Sequence, residues 1–190
     1  MDTIGLKNNL IRKGFFMNLP NKLTVGRIIA VPFFVAAYML EWYVVAFVIF
    51  ILASITDMLD GQIARKYNLV SNFGKFADPL ADKILVYSAF CLFIGELMPA
   101  WMLIVILTRE FVVSGIRAVA ASEGIVIAAG MSGKIKTVLQ MIAVPMMLLV
   151  PIIPSVVFYY ITMGFLWASL VMTVYSGIEY VVQNRKVLSM

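Results

Sequence analysis

Histidine is absent from this 190-residue chain, and cysteine occurs once, at Cys91. The usual zinc ligands are therefore nearly missing, and a lone thiol excludes an intramolecular disulfide. Charge is scarce too: 13% of residues are Asp, Glu, Lys or Arg, against 63% hydrophobic and a mean hydropathy of +0.99. A chain this short cannot hide so much apolar surface in a soluble core, so composition points to one membrane domain. No apolar core of signal-peptide length follows the first basic residues before Asn18, so cleavage and export are not expected.

What is present is arranged as six hydrophobic runs, roughly 22–40, 43–66, 76–97, 99–121, 133–152 and 155–181. Each is close to the roughly twenty residues that cross a bilayer as a helix. The breaks carry punctuation at Glu41, Asn68 to Gly74, Glu96 to Pro99, Glu123 to Gly130 and Pro151 to Pro154. The expected fold is all-α, a polytopic bundle of six transmembrane helices over residues 18–190. Residues 1–17 form a basic amphipathic segment in which Ile4, Leu6, Leu10, Ile11, Phe15 and Phe16 interleave with Lys7, Arg12 and Lys13. This segment permits a short interfacial helix; a natural start at Met17 is the alternative.

With the N-terminus inside, the connections near residues 41, 97 and 153 face outward, and none carries Lys or Arg. The 15 basic residues fall instead at the inner ends and along the fourth run, which sets the orientation in a cell membrane. The net charge of +5 and pI near 9.4 are banded by topology, not gathered with interleaved aromatics. Anionic lipids are therefore the expected surroundings, and nucleic acid is not an expected partner. Trp42, Tyr43, Trp101, Tyr159 and Tyr160 near outer helix ends fit an interfacial belt, and Cys91 is a small packing residue.

Four of the ten acidic residues lie between Asp57 and Asp82, in the pattern D-x-x-D-G-x-x-A-R-x8-G-x3-D-x3-D. Asp57 and Asp60 share one helix face; Asp78 and Asp82 share another, with Gly74 a turn earlier. Packed side by side, the two helices would gather four carboxylates that repel and take up protons unless cations balance them. Two divalent ions would do so, and oxygen-only ligands suit Mg²⁺ or Mn²⁺. Gly61 and Ala64 leave room beside the acids, and Arg65 offers a fork of donors for a phosphate. The whole is equipment for a pyrophosphate and for phosphoryl transfer. Each residue alone has an ordinary structural explanation. Eight specified positions at about one in twenty each agree by accident on the order of 10⁻¹⁰ per starting position.

A second polar group lies in the fourth and fifth runs. Glu110, Ser114 and Arg117 fall on one stripe with Arg109 about a quarter turn away, and Lys134 and Lys136 open the fifth run. A buried Glu110–Arg pair is the plain structural account. The basic residues exceed what Glu110 can neutralise, Arg109 lies deeper than a topology signal needs, and a helix N-terminus favours anions. These features point to a pocket for a second, phosphorylated substrate. Near the N-terminal end, Pro20 breaks the chain, and Asn21 and Thr24 can cap the first helix.

The acidic pattern matches, at every specified position, the signature of the CDP-alcohol phosphotransferase family of integral membrane enzymes. The stretches from Asn18 to Arg27, from Thr108 to Phe111 with Arg117, and from Gly133 to Thr137 resemble its bacterial phosphatidylglycerophosphate synthase branch. The resemblance implies transfer of a phosphatidyl group from CDP-diacylglycerol to sn-glycerol 3-phosphate, with CMP released. It implies metal held by Asp57, Asp60, Asp78 and Asp82, with Asp82 as general base. It places CDP-diacylglycerol beside Asn21, Thr24, Asp60 and Gly61, and beside Ala64, Arg65, Ser71 and Gly74. It places glycerol 3-phosphate at Arg109, Arg117, Lys134 and Lys136, and implies a homodimer. Inositol phosphate or phosphatidylglycerol as acceptor, and a cation or proton transporter, are the alternatives.

Overall fold

In the computed structural model of the protein, the backbone is described over residues 19–66, 72–128 and 130–185, and side chains over 23–56, 80, 81, 83–128 and 130–185. The described residues form six helices and no strand. These are α1 (Leu19–Met39), α2 (Tyr43–Lys66), α3 (Asn72–Leu92), α4 (Ala100–Ser122), α5 (Met131–Leu149) and α6 (Val156–Gln183). At about 1.5 Å per residue they run from about 28 to 42 Å, comparable with a bilayer core of about 30 Å. A helix closes its own backbone hydrogen bonds, as an apolar surrounding demands.

Six helices stand where six hydrophobic runs were expected, with two corrections. The third run ends at Leu92 rather than near residue 97, because Gly95 turns the chain with a φ of +92° and its N–H donates to the Met98 carbonyl at 3.0 Å. The first helix is already under way at Leu19, so Asn21 and Thr24 lie inside it rather than capping it. Pro20 therefore sits in the first described turn, where its missing N–H costs no helical bond.

By length and composition, α6 is the described helix able to cross a membrane. Apolar stretches in α1, α2 and α3 are shorter, Leu23–Met39, Tyr43–Thr56 and Lys83–Leu92. The reason lies in the sequence: the charged signature occupies the C-terminal end of α2 and the N-terminal half of α3.

α1 packs against α2 and α3, α5 packs along α6, α4 leans on α6, and α2 reaches α5. The core holds Phe34, Phe50, Phe90, Phe93, Met102, Ile106, Met147, Leu148 and Leu166. Phe33, Leu52, Ile104, Phe111, Val138, Val171 and Ile178 are exposed on helix exteriors. A hydrocarbon solvent accommodates that surface; water would not. In lipid, close packing rather than water exclusion joins helices. The inner stripe of α6 is correspondingly lean, with Thr162, Ser169, Thr173 and Ser176 buried and their hydroxyls bonded to carbonyls three or four residues back.

Two helix ends close in the same way. After α4, Gly124 takes a φ of +72°, its N–H meets Ala121 O at 3.1 Å, and Ile125 N–H meets Ala120 O at 2.8 Å. After α1 the left-handed place is filled by Glu41, at φ +61°, with Trp42 N–H on Ala37 O at 2.9 Å. Such bonds satisfy carbonyls that a helix end otherwise orphans. Tyr38 Oη donates to Glu96 at 3.4 Å, so the α1–α2 and α3–α4 turns lie at one end of the bundle.

Candidate active site

At the opposite end, the last turns of α4 and α6 and the first turns of α5 enclose a cavity of about 390 Å³, with Lys83 of α3 in its wall. Arg109, Arg117, Lys134 and Lys136 all line it, as the spacing of the basic residues suggested. Five basic side chains face it against two acidic ones, Glu110 and Glu179, a formal excess of three positive charges. A site of this size and sign suits a small phosphorylated molecule.

Glu110 organises the cations. It is 8% exposed, and one carboxylate oxygen accepts from Arg109 Nη1 at 2.8 Å and from Lys136 Nζ. Its other oxygen lies 3.4 Å from Lys83 Nζ, which also donates to Ser114 Oγ at 3.1 Å. Lys136 is 3% exposed, and a buried ammonium needs such a counter-charge. The expected Glu110–Arg pair is therefore made with the neighbouring Arg109 and two lysines, not with Arg117.

Arg117 turns to α6. Its Nε donates to Tyr180 Oη at 3.2 Å, and its guanidinium carbon lies 5.4 Å from the Tyr180 ring centroid, a cation–π distance. Glu179 accepts from Ser132 Oγ, at the start of α5, and from Gln183 Nε2 at 3.2 Å. Arg109 Nε and Gln140 Nε2 are buried without a hydrogen-bond partner; such a group invites a ligand acceptor.

Arg109 also borders a second space. An apolar groove of about 430 Å³ runs between α4 and α6, lined by Val105, Thr108, Val112, Val174, Ile178 and their neighbours. Arg109 is the residue that lines both voids. Its stem lies against Gly177 and its tip near Gly133.

The acidic signature lies on elements whose course is described. Asp57, Asp60, Gly61, Ala64 and Arg65 are in α2, Gly74, Asp78 and Asp82 in α3, and these two helices touch. The side chains of those residues and of Asn21 lie outside the described ones, as do Ser71 and residues 1–17 altogether. Thr24 is fully buried in α1, with Arg27 buried almost one turn on. Among the described residues no three carboxylate, thiol or imidazole groups gather.

Sequence reasoning did not place Lys83, Ser132, Glu179, Tyr180 or Gln183 at this cavity. By sequence Lys83 is one more inner-end basic residue that topology alone explains, yet it follows Asp82 directly and lies 3.4 Å from Glu110. Glu179 carried a usable signal: it is an acidic residue near the end of an otherwise apolar helix, and such a charge needs a partner.

Comparison with known proteins bears on this arrangement. The family described as CDP-alcohol phosphatidyltransferase matches residues 17–175. A relative from Bacillus subtilis (strain 168), named CDP-diacylglycerol--glycerol-3-phosphate 3-phosphatidyltransferase, is 44% identical over 187 residues, covering 90% of this chain and 97% of its own. Proteins of the same name from Rickettsia felis and Salmonella paratyphi A are 36% and 33% identical, covering 86% and 88% of this chain and 93% and 95% of theirs. The chain belongs to the CDP-alcohol phosphatidyltransferase family and is an enzyme of that class.

Proposed function

We propose that the protein transfers the phosphatidyl group of CDP-diacylglycerol to sn-glycerol 3-phosphate, giving phosphatidylglycerophosphate and CMP. The observation that carries this is the cavity in which Arg109, Arg117, Lys134 and Lys136 converge with an excess of positive charge. A phosphate monoester brings up to two negative charges and several acceptor oxygens for those donors. Free serine offers no such group. The names of the relatives from Bacillus, Rickettsia and Salmonella support the same donor and acceptor.

Arg109, Arg117, Lys134 and Lys136 hold the acceptor phosphate and leave its 1-hydroxyl toward α3. Asp82 takes the proton of that hydroxyl. The oxygen bonds to the phosphorus that carries diacylglycerol, the phosphorus–oxygen bond to CMP breaks, and CMP leaves with the electron pair. The acyl chains stay in lipid, while Arg65, Gly61, Ala64 and Gly74, with Asn21, Thr24 and Ser71, receive the nucleotide and its phosphates. Four aspartates make an oxygen-only donor set that fits two Mg²⁺ or Mn²⁺ ions, so Asp57, Asp60, Asp78 and Asp82 are the residues to hold them. Bound there, the ions supply charge neutralisation at the pyrophosphate.

The same reading takes residues 18–190 as one six-pass domain in the cell membrane, with the site on the cytoplasmic side. It takes residues 1–17 as an interfacial segment and the working unit as a homodimer. Purified protein given CDP-diacylglycerol, Mg²⁺ and separately glycerol 3-phosphate, inositol phosphate, serine or phosphatidylglycerol releases CMP with glycerol 3-phosphate alone. Release with a different acceptor instead overturns the assignment.

A further inference from the structure

We infer that Gly177 is a positioning residue for the acceptor: with Gly133 it forms the slot through which Arg109 reaches the cavity. The inference rests on the reading of Arg109 as an acceptor ligand. Arg109 stands on α4 and lines both the apolar groove and the polar cavity, with its side chain running against Gly177 of α6 and Gly133 of α5. A Cβ on Gly177 would lie 2.9 Å from Arg109 Cγ and 3.8 Å from its Cβ. Carbon atoms do not approach to 2.9 Å, and Cγ is too near the backbone to yield without a change of χ1. Further along, a Cβ on Gly133 would lie 3.2 Å from Arg109 Nη2. One glycine thus passes the stem and the other the tip. Neither has a positive φ, so the need is for space and not for backbone freedom.

The slot explains why a helix that faces lipid on one side has glycine at 177. Glycine within a helix is unfavourable relative to alanine, and Gly164 on the same helix faces open space. With the stem wedged, the guanidinium has one path, toward Glu110 at 2.8 Å and the cavity. An alanine at 177 drives Arg109 out of that path while leaving every cavity-facing side chain chemically unchanged.

The test is steady-state kinetics on the full chain in lipid nanodiscs. Arg109→Ala should raise the KM for glycerol 3-phosphate. Gly177→Ala should raise it on the order of 10- to 100-fold, with the KM for CDP-diacylglycerol unchanged. The double variant should be no worse than Arg109→Ala, since a side chain that is gone cannot be displaced. Gly164→Ala should behave as the parent. A Gly177→Ala protein with the parental acceptor KM, or a double variant clearly worse than Arg109→Ala, overturns the inference; the latter would mean that Gly177 serves helix packing. If Arg109→Ala leaves the acceptor KM unchanged, the reading of the cavity itself fails. Should Gly177→Ala not fold, Gly133→Ala reads the same slot: a several-fold rise that vanishes in the Arg109→Ala background supports it, and no rise overturns it.

Discussion

Glu110 is one carboxylate set among Lys83, Arg109 and Lys136, and removing one side of a buried ionic cluster costs about 3–5 kcal/mol. Glu110→Ala should therefore lower the thermal unfolding midpoint in detergent and weaken acceptor binding together. A variant with unchanged unfolding would show that the cluster is not stabilising. Asp82→Asn should nearly abolish CMP release while leaving CDP-diacylglycerol binding in place, and full retained turnover would remove Asp82 from the base role. Arg117→Ala or Lys134→Ala should chiefly raise the glycerol 3-phosphate requirement; an effect confined to CDP-diacylglycerol would misplace the pocket. The basic residues are legible in the sequence on different grounds: helix spacing puts Arg117 on the stripe of Glu110, Arg109 lies deeper than a topology signal needs, and Lys134 and Lys136 open a helix. Their partners were not. Nothing in local spacing says that Tyr180 meets Arg117 across 63 positions, or that Lys83 meets Glu110 from another helix.

At the scale of elements, the helices followed the hydrophobic runs to within a few residues, because a run bounded by Gly, Pro or charge leaves little choice. The misplaced end of α3 shows the limit. Phe93, Ile94, Leu97 and Met98 are as apolar as a helix, and the stop comes from Gly95, a backbone effect that hydropathy does not register. The two left-handed closures make a matched pair for experiment. Gly124→Ala should destabilise by about 1–2 kcal/mol, the cost of a side chain at positive φ. Glu41→Gly should stabilise by a few tenths to about 1 kcal/mol, offset partly by the entropy of glycine. Both are read from unfolding midpoints, and equal signs for the two would contradict the geometry.

For the whole molecule, the banded charge predicts an orientation, and Cys91, the lone thiol and exposed rather than packed as the sequence suggests, makes that prediction measurable. In a Cys91→Ser background, a membrane-impermeant maleimide applied to intact cells should label Ile152→Cys, in the exposed turn after α5, and not Glu123→Cys, after α4. The reverse pattern would invert the topology. Arg109 stands between two unlike spaces, an apolar groove on one side and a charged cavity on the other. Its methylenes act as a bulkhead, so truncation to alanine breaches the wall as well as deleting a charge. Arg109→Met keeps the wall and loses only the guanidinium, so the gap in activity between the methionine and alanine variants measures how much the enzyme depends on sealing the charged cavity from the apolar groove.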